Sequence, residues 1–193
     1  MKVIAFNGSP RPKGNTARLI REVFAILDEA GIQTELISLA GKPLPGCTAC
    51  GDCAVTKDMR CSIIGDDLND YVAKMLEADG IILASPTYFS DVTPEIKALI
   101  DRAGLVVRMN GDRLKRKVGA AVVVARRAGG MHTFDTLNHF FLINQMIVCG
   151  SSYWNLGFAL EEEQVARDDE AIQTMRALGH NMVWLLQKLQ GDQ

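Results

Sequence analysis

The sequence has no surplus of either charge. Its 21 lysines and arginines stand against 23 acidic residues, a formal net charge of -2. The basic footprint of a general nucleic-acid binder is missing, so a small-molecule or protein partner is expected and nucleic acid is not. No apolar run approaches the roughly 20 residues that cross a bilayer. The opening MKVIAFNGS is too briefly apolar for a secretory signal, and the expectation is a cytoplasmic protein without membrane association. Internal repeats and an obvious linker are also absent, which over 193 residues predicts one domain, residues 1–193, with a well-buried core. Five cysteines occur without export features. That argues against a disulfide framework and for metal, cluster or redox use, or for simple burial.

What is present is an alternation of strand and helix patterns. Val3 to Phe6 is a short apolar run ended by Gly8, and Thr16 to Ala30 carries Leu19, Ile20, Val23, Phe24 and Leu27 at helical spacing. Thr34 to Leu39 predicts a second strand and Gly80 to Ala84 a third. GAAVVVA predicts a fourth, and a stretch near Met146 to Val148 a fifth. Helices are expected from Asp66 and Asp67 to Leu76, from Pro94 toward Val107, over Thr133 to Asn144, and from about Asp169 to Leu189. Near-continuous apolar strands joined by crossover helices imply an α/β fold: a flavodoxin-like sheet of five parallel strands with helices on both faces. A Cys-, Gly- and Pro-rich loop, residues 41–65, is inserted after strand 2. Ligands of such sheets lie beyond the carboxyl ends of the strands, which singles out the loops after strands one, three and four.

The first of these reads FNGSPRPKGNTARL. Small and rigid residues leading into a helix N-terminus leave backbone N–H groups unpaired at the positive end of the helix dipole, an arrangement that favours an anion. Ser9, Asn15 and Thr16 add short side-chain donors, Arg11 and Lys13 offset a dianionic phosphate, and Gly8 and Gly14 permit close approach. Nucleoside triphosphate hydrolysis is disfavoured, because Lys13 and Gly14 stand in the reverse of the P-loop order and the three close glycines of a dinucleotide fingerprint are missing.

The GSPRPKGNT loop, SPTYFSDVTPEIKALIDR from Ser85 to Arg102, and VVVARRAGG together resemble the NADPH-dependent FMN reductase superfamily of flavodoxin-like proteins. CTACGDC followed by Cys61 resembles its iron-sulfur flavoprotein branch. The resemblance implies that Ser9, Arg11, Asn15 and Thr16 bind the phosphate of FMN and that Pro86, Thr87, Tyr88 and Phe89 flank its isoalloxazine ring. The residues agree: a rigid proline beside two aromatics after a buried strand suits a flavin wall. Arg126 and Arg127, with Gly129 and Gly130, would bring positive charge near the flavin N1 and C2 carbonyl. Adjacent side chains in an extended stretch point to opposite faces, so one of the two arginines is expected to face elsewhere.

Cys47, Cys50 and Cys53 are each separated by two residues and Cys61 follows after seven. Three close thiols and a fourth at a looser distance suit a 4Fe-4S cluster better than zinc, whose structural sites pair two knuckles. Zinc and free or oxidised thiols are the alternatives. With both cofactors the expected activity is electron transfer between a two-electron and a one-electron partner, with NAD(P)H or a ferredoxin among the candidates. The other readings are an NAD(P)H-dependent FMN or quinone reductase with a structural cysteine loop, and a flavin-binding module without activity. A homodimer or homotetramer is expected. Cys149 reads as a buried small hydrophobe, His132, His139 and His180 as solvated or packed, and Met175, Met182 and Trp184 as packing the last helix on the sheet.

Overall fold

After Lys2, strand β1 (Lys2–Asn7) is buried along its whole length, as a continuous apolar run requires in a sheet covered on both faces. The computed structural model describes residues 1–190, so the last three residues of the expected domain lie outside the described part. Strands β2 (Gln33–Ser38), β3 (Gly80–Pro86) and β4 (Val118–Ala125) join β1 in one sheet in which neighbouring strands pair in parallel. The order β2-β1-β3-β4-β5 is the flavodoxin-like arrangement expected from the sequence.

The fifth position is filled by two short pieces. Strand β5 (Ile147–Val148) pairs with Val118 and Gly119 of β4, and β6 (Leu156–Phe158) pairs with Val123 to Ala125 further along the same strand. Between them the chain leaves the sheet. Asn155 spans the gap: its Nδ2 donates to the Ala121 carbonyl at 3.0 Å, and its own carbonyl accepts the Val123 N–H at 2.9 Å. The sequence pattern shows β5 and misses β6, since three residues carry no period.

Side chains alternate across the strands into two apolar layers. Val3 and Ala5 of β1, Ile82 and Ala84 of β3, and Val118, Ala120, Val122 and Val124 of β4 meet helices α1 (Asn15–Glu29) and α6 (Asp169–Gln190). Ile4, Phe6, Ile81, Leu83, Ala121 and Val123 face the other way, onto α3 (Leu68–Glu77), α4 (Pro94–Met109) and α5 (Gly130–Ile143). Each layer gains the usual burial free energy, roughly 25 cal/mol per Å² of apolar surface. Within the cysteine-rich loop one further helical turn forms, α2 (Asp52–Thr56), where the sequence pattern predicts irregular chain.

Two expectations about packing resolve differently. Met175 and Met182 are fully buried on α6, whereas Trp184 is exposed. Two residues past Met182 is about 200° further round a helix, so the tryptophan leaves the apolar stripe. Cys149 is buried as expected, and burial pushes its thiol up to about 11.

Candidate functional site

The loop after β1 is shaped by hydrogen bonds among its own residues. Asn7 Oδ1 accepts the Ser9 N–H at 3.0 Å, Ser9 Oγ accepts the Arg11 N–H at 3.1 Å, and the Arg11 carbonyl accepts the Gly14 N–H at 3.0 Å. Helix α1 then begins from Gly14 without a side-chain cap. The N–H groups of Asn15, Thr16 and Ala17 have no intrahelical partner and lie at the positive end of the dipole. Gly8 is required by packing: a Cβ there would stand 2.2 Å from Ile96 Cγ1 and 2.8 Å from Thr93 Oγ1. It therefore lies in close contact with α4.

Asn15 is also tied to a distant part of the chain. Its Nδ2 donates to the Glu161 carbonyl at 2.8 Å and its Oδ1 accepts the Val165 N–H at 3.2 Å. Both ends of the amide are engaged, so the side chain ties down the segment after β6.

Ser9, Arg11, Asn15 and Thr16 line a cavity of about 200 Å³. Pro86 enters it from the end of β3 and Thr87 and Tyr88 from the loop that follows, Val124 and Arg126 from the end of β4, and Ala159 and Leu160 from beyond β6. The three loops chosen by the strand-end rule thus converge on one space. Lys13, Gly14, Phe89, Arg127 and Gly129 are not part of its lining. Of the adjacent arginines, Arg126 is the one that reaches it. Ala159 and Leu160 carry no signal in the sequence, because the chain returns to the site only through the short β6.

The turn beside this cavity is strained. Tyr88 and Asp91 exchange backbone hydrogen bonds at 2.8 and 3.0 Å, and the two residues between them are left-handed, Phe89 at φ 48° and Ser90 at φ 65°. Such values are uncommon for side chains other than glycine, asparagine and aspartate. Gly129, at φ +84°, leaves room for the turn, since a Cβ there would stand 2.8 Å from Ser90 Oγ. Phe89 is fully exposed and does not cap the core. His132, His139 and His180 are exposed as well, in line with solvated roles.

Cys47, Cys50, Cys53 and Cys61 line a second, narrow cavity whose far wall is Arg102, Leu105 and Val106 of α4. All four are free thiols. Among the described residues, no three His, Cys, Asp or Glu side chains gather closely enough to hold a single metal ion. All four thiols border the same cavity. The loop is pinned on both sides. Asn69 of α3 accepts the Cys61 N–H at 2.7 Å and donates to its carbonyl at 3.0 Å, and Asn110 accepts the Met59 N–H at 3.1 Å while donating to the Cys53 carbonyl at 3.2 Å. Ala49, Lys57 and Met59 all have positive φ, so backbone strain is concentrated in this loop.

Charge in this second site is arranged around Arg102, whose side chain is fully buried and pairs with Asp66 at 2.6 Å. Burial opposes the charged guanidinium, but hydrogen bonds to Asp66 and Cys61 outweigh it and hold its pKa above the ordinary value. Burial also raises the Cys53 thiol, and the neighbouring Cys50, Cys61 and Cys47 raise it further.

Comparison with known proteins agrees with this geometry. Residues 1–161 match the family model described as NADPH-dependent FMN reductase. An iron-sulfur flavoprotein of Methanocaldococcus jannaschii is 44% identical over 186 residues, covering 93% of this chain and 94% of that protein. One from Methanosarcina thermophila is 35% identical over 154 residues, covering 79% and 78%. Among solved structures, a flavodoxin, WrbA-like protein from Agrobacterium tumefaciens superposes with a TM-score of 0.65 at 15% identity, covering 97% of each chain, a likeness of fold. The chain belongs to the NADPH-dependent FMN reductase family, in its iron-sulfur flavoprotein branch.

Proposed function

We propose that this protein is an electron-transfer flavoprotein that holds FMN in the cavity at the ends of β1, β3 and β4 and a 4Fe-4S cluster on Cys47, Cys50, Cys53 and Cys61. The broader part of that statement, a flavin-dependent oxidoreductase, follows from family membership. The finer part is supported by one observation above all: the four cysteines share one cavity, separate from the cavity shared by the phosphate-type loop, the β3 turn and Arg126. Four thiols on one cavity match the ligand count of a 4Fe-4S cluster, and the relatives named iron-sulfur flavoproteins support that reading over zinc.

When bound, FMN exchanges electrons with a two-electron partner and the cluster passes them one at a time. The chain's own residues hold and tune. The N–H groups of Asn15, Thr16 and Ala17, with Arg11, hold the terminal phosphate. Arg126 brings positive charge to the flavin, and Tyr88 supplies an aromatic wall. The electron partners are a small molecule or a protein, with NAD(P)H and a ferredoxin as candidates, and the chain works as a homodimer or homotetramer.

Anaerobic purification followed by visible spectroscopy and iron, sulfide and flavin assays tests the reading. About four irons and one FMN per chain are expected. Cys50→Ala should abolish iron uptake and spare FMN; iron retained at the wild-type level would contradict the assignment. Flavin without iron in the wild type would favour the alternative NAD(P)H-dependent FMN or quinone reductase, with the cysteine loop purely structural.

A further inference from the structure

Arg102 occupies a position where its helix calls for an apolar residue. The buried face of α4 runs Ile96, Leu99, Ala103, Val106 and Val107, and Arg102 is buried with them at 1% exposure. Its guanidinium leaves the core and enters the cysteine loop. Nη1 donates to Asp66 Oδ2 at 2.6 Å and to the Pro45 carbonyl at 3.3 Å. Nη2 donates to Cys61 Sγ at 3.5 Å, to the Ile63 carbonyl at 3.3 Å and to Asp66 Oδ1 at 3.4 Å. Nε is buried with no partner among the described residues. One side chain therefore contacts both ends of the loop that carries the four thiols and touches one of those thiols directly.

We propose that Arg102 is a positioning residue for the cysteine site and sets the reduction potential of the cluster there through its N–H bond to the Cys61 sulfur and its buried charge. The proposal rests on the cluster assignment above. Two physical effects act in the same direction. A donor to a ligating sulfur withdraws electron density from it, and a buried cation favours the more negative, reduced form; both raise the potential. Asp66 opposes them by partly neutralising the guanidinium. Lysine does not reproduce the arrangement, because a single ammonium lacks the planar fork that reaches Asp66, the loop carbonyls and Cys61 together.

The test is a redox titration of the anaerobically purified holoprotein and two variants, monitored by the cluster's visible absorption, with iron and FMN assayed in parallel. Arg102→Lys loses the bond to Cys61 and should shift the potential to more negative values, with less iron retained per FMN. Asp66→Asn leaves the guanidinium uncompensated and should shift it to more positive values. Opposite shifts are the expected result, and a merely structural role would not produce them. Unchanged potentials, or two shifts of the same sign, overturn the proposal while leaving the cluster assignment intact. Should Arg102→Lys fail to fold, the positive shift in Asp66→Asn carries the test, and its absence overturns the proposal. A wild-type protein that takes up no iron overturns the cluster reading itself, and this proposal with it.

Discussion

At the scale of single residues, one ion-pair cluster outside the two sites centres on Glu35 of the edge strand β2. Its carboxylate accepts from Lys74 of α3 and pairs with Lys2 of β1 at 2.9 Å. The hydrogen bond from Lys74, followed by that from Lys2, holds its pKa below the ordinary carboxylate value against the opposing effect of burial. A carboxyl group whose pKa is depressed by folding stabilises the protein above its unfolded pKa and loses that contribution as pH falls through the folded value. Glu35→Gln should therefore cost about 0.5–1 kcal/mol at neutral pH, the scale of a partly exposed pair. Thermal melts of both proteins from pH 7 to pH 3 should show the gap closing as the carboxylate is protonated. A gap that stays constant would locate the loss in packing instead.

Residue placement is legible in the sequence where the signal is local. Arg11 and Thr16, expected from a loop entering a helix, border the first cavity, and the four cysteines, expected from their spacing, border the second. The role of Asn15 is not legible, since its amide is engaged by Glu161 and Val165, 146 and 150 positions away. Arg102 carries a signal that is available in the sequence: a charged residue on an otherwise apolar helical stripe.

Among the elements, α4 links the two sites. Its N-cap, Thr93, is fully buried and donates from Oγ1 to the Gly8 carbonyl at 2.8 Å, which fastens the phosphate-type loop. Nine residues further on, Arg102 fastens the cysteine loop, about 13 Å along the axis at 1.5 Å per residue. Thr93→Val keeps the shape but leaves the Gly8 carbonyl without its donor, at about 1–3 kcal/mol. The expected outcome is weaker FMN retention with unchanged iron content, and Thr93→Ser should restore the flavin. Loss of iron and FMN together in the valine variant would mean that α4 unfolds as a unit. The sequence shows this helix clearly, from Pro94 at its first turn and from the spacing of Ile96, Leu99 and Ala103. It shows the split fifth strand poorly, because β5 and β6 have two and three residues and are defined only by their register on β4.

For the molecule as a whole, the proposed self-association has a specific structural correlate. Tyr88 and Leu160, both about half exposed, line the first cavity, and Phe89 beside them is fully exposed in a left-handed conformation. A phenylalanine left in water forgoes roughly 1.5–3 kcal/mol of burial, and a non-glycine residue at positive φ costs on the order of 1 kcal/mol more. Both costs are offset if a second copy covers the turn. Phe89→Asn separates the two effects, because asparagine tolerates the left-handed region and removes the ring. The monomer should remain folded, as judged by circular dichroism, because the strained turn accepts asparagine. Sedimentation should nevertheless show the assembly dissociating toward monomer, since the contact that offset the strain is gone. A variant that sediments as the wild type does would place the interface elsewhere on the surface, and would leave the exposed ring to some other contact with the flavin cavity or its electron partner.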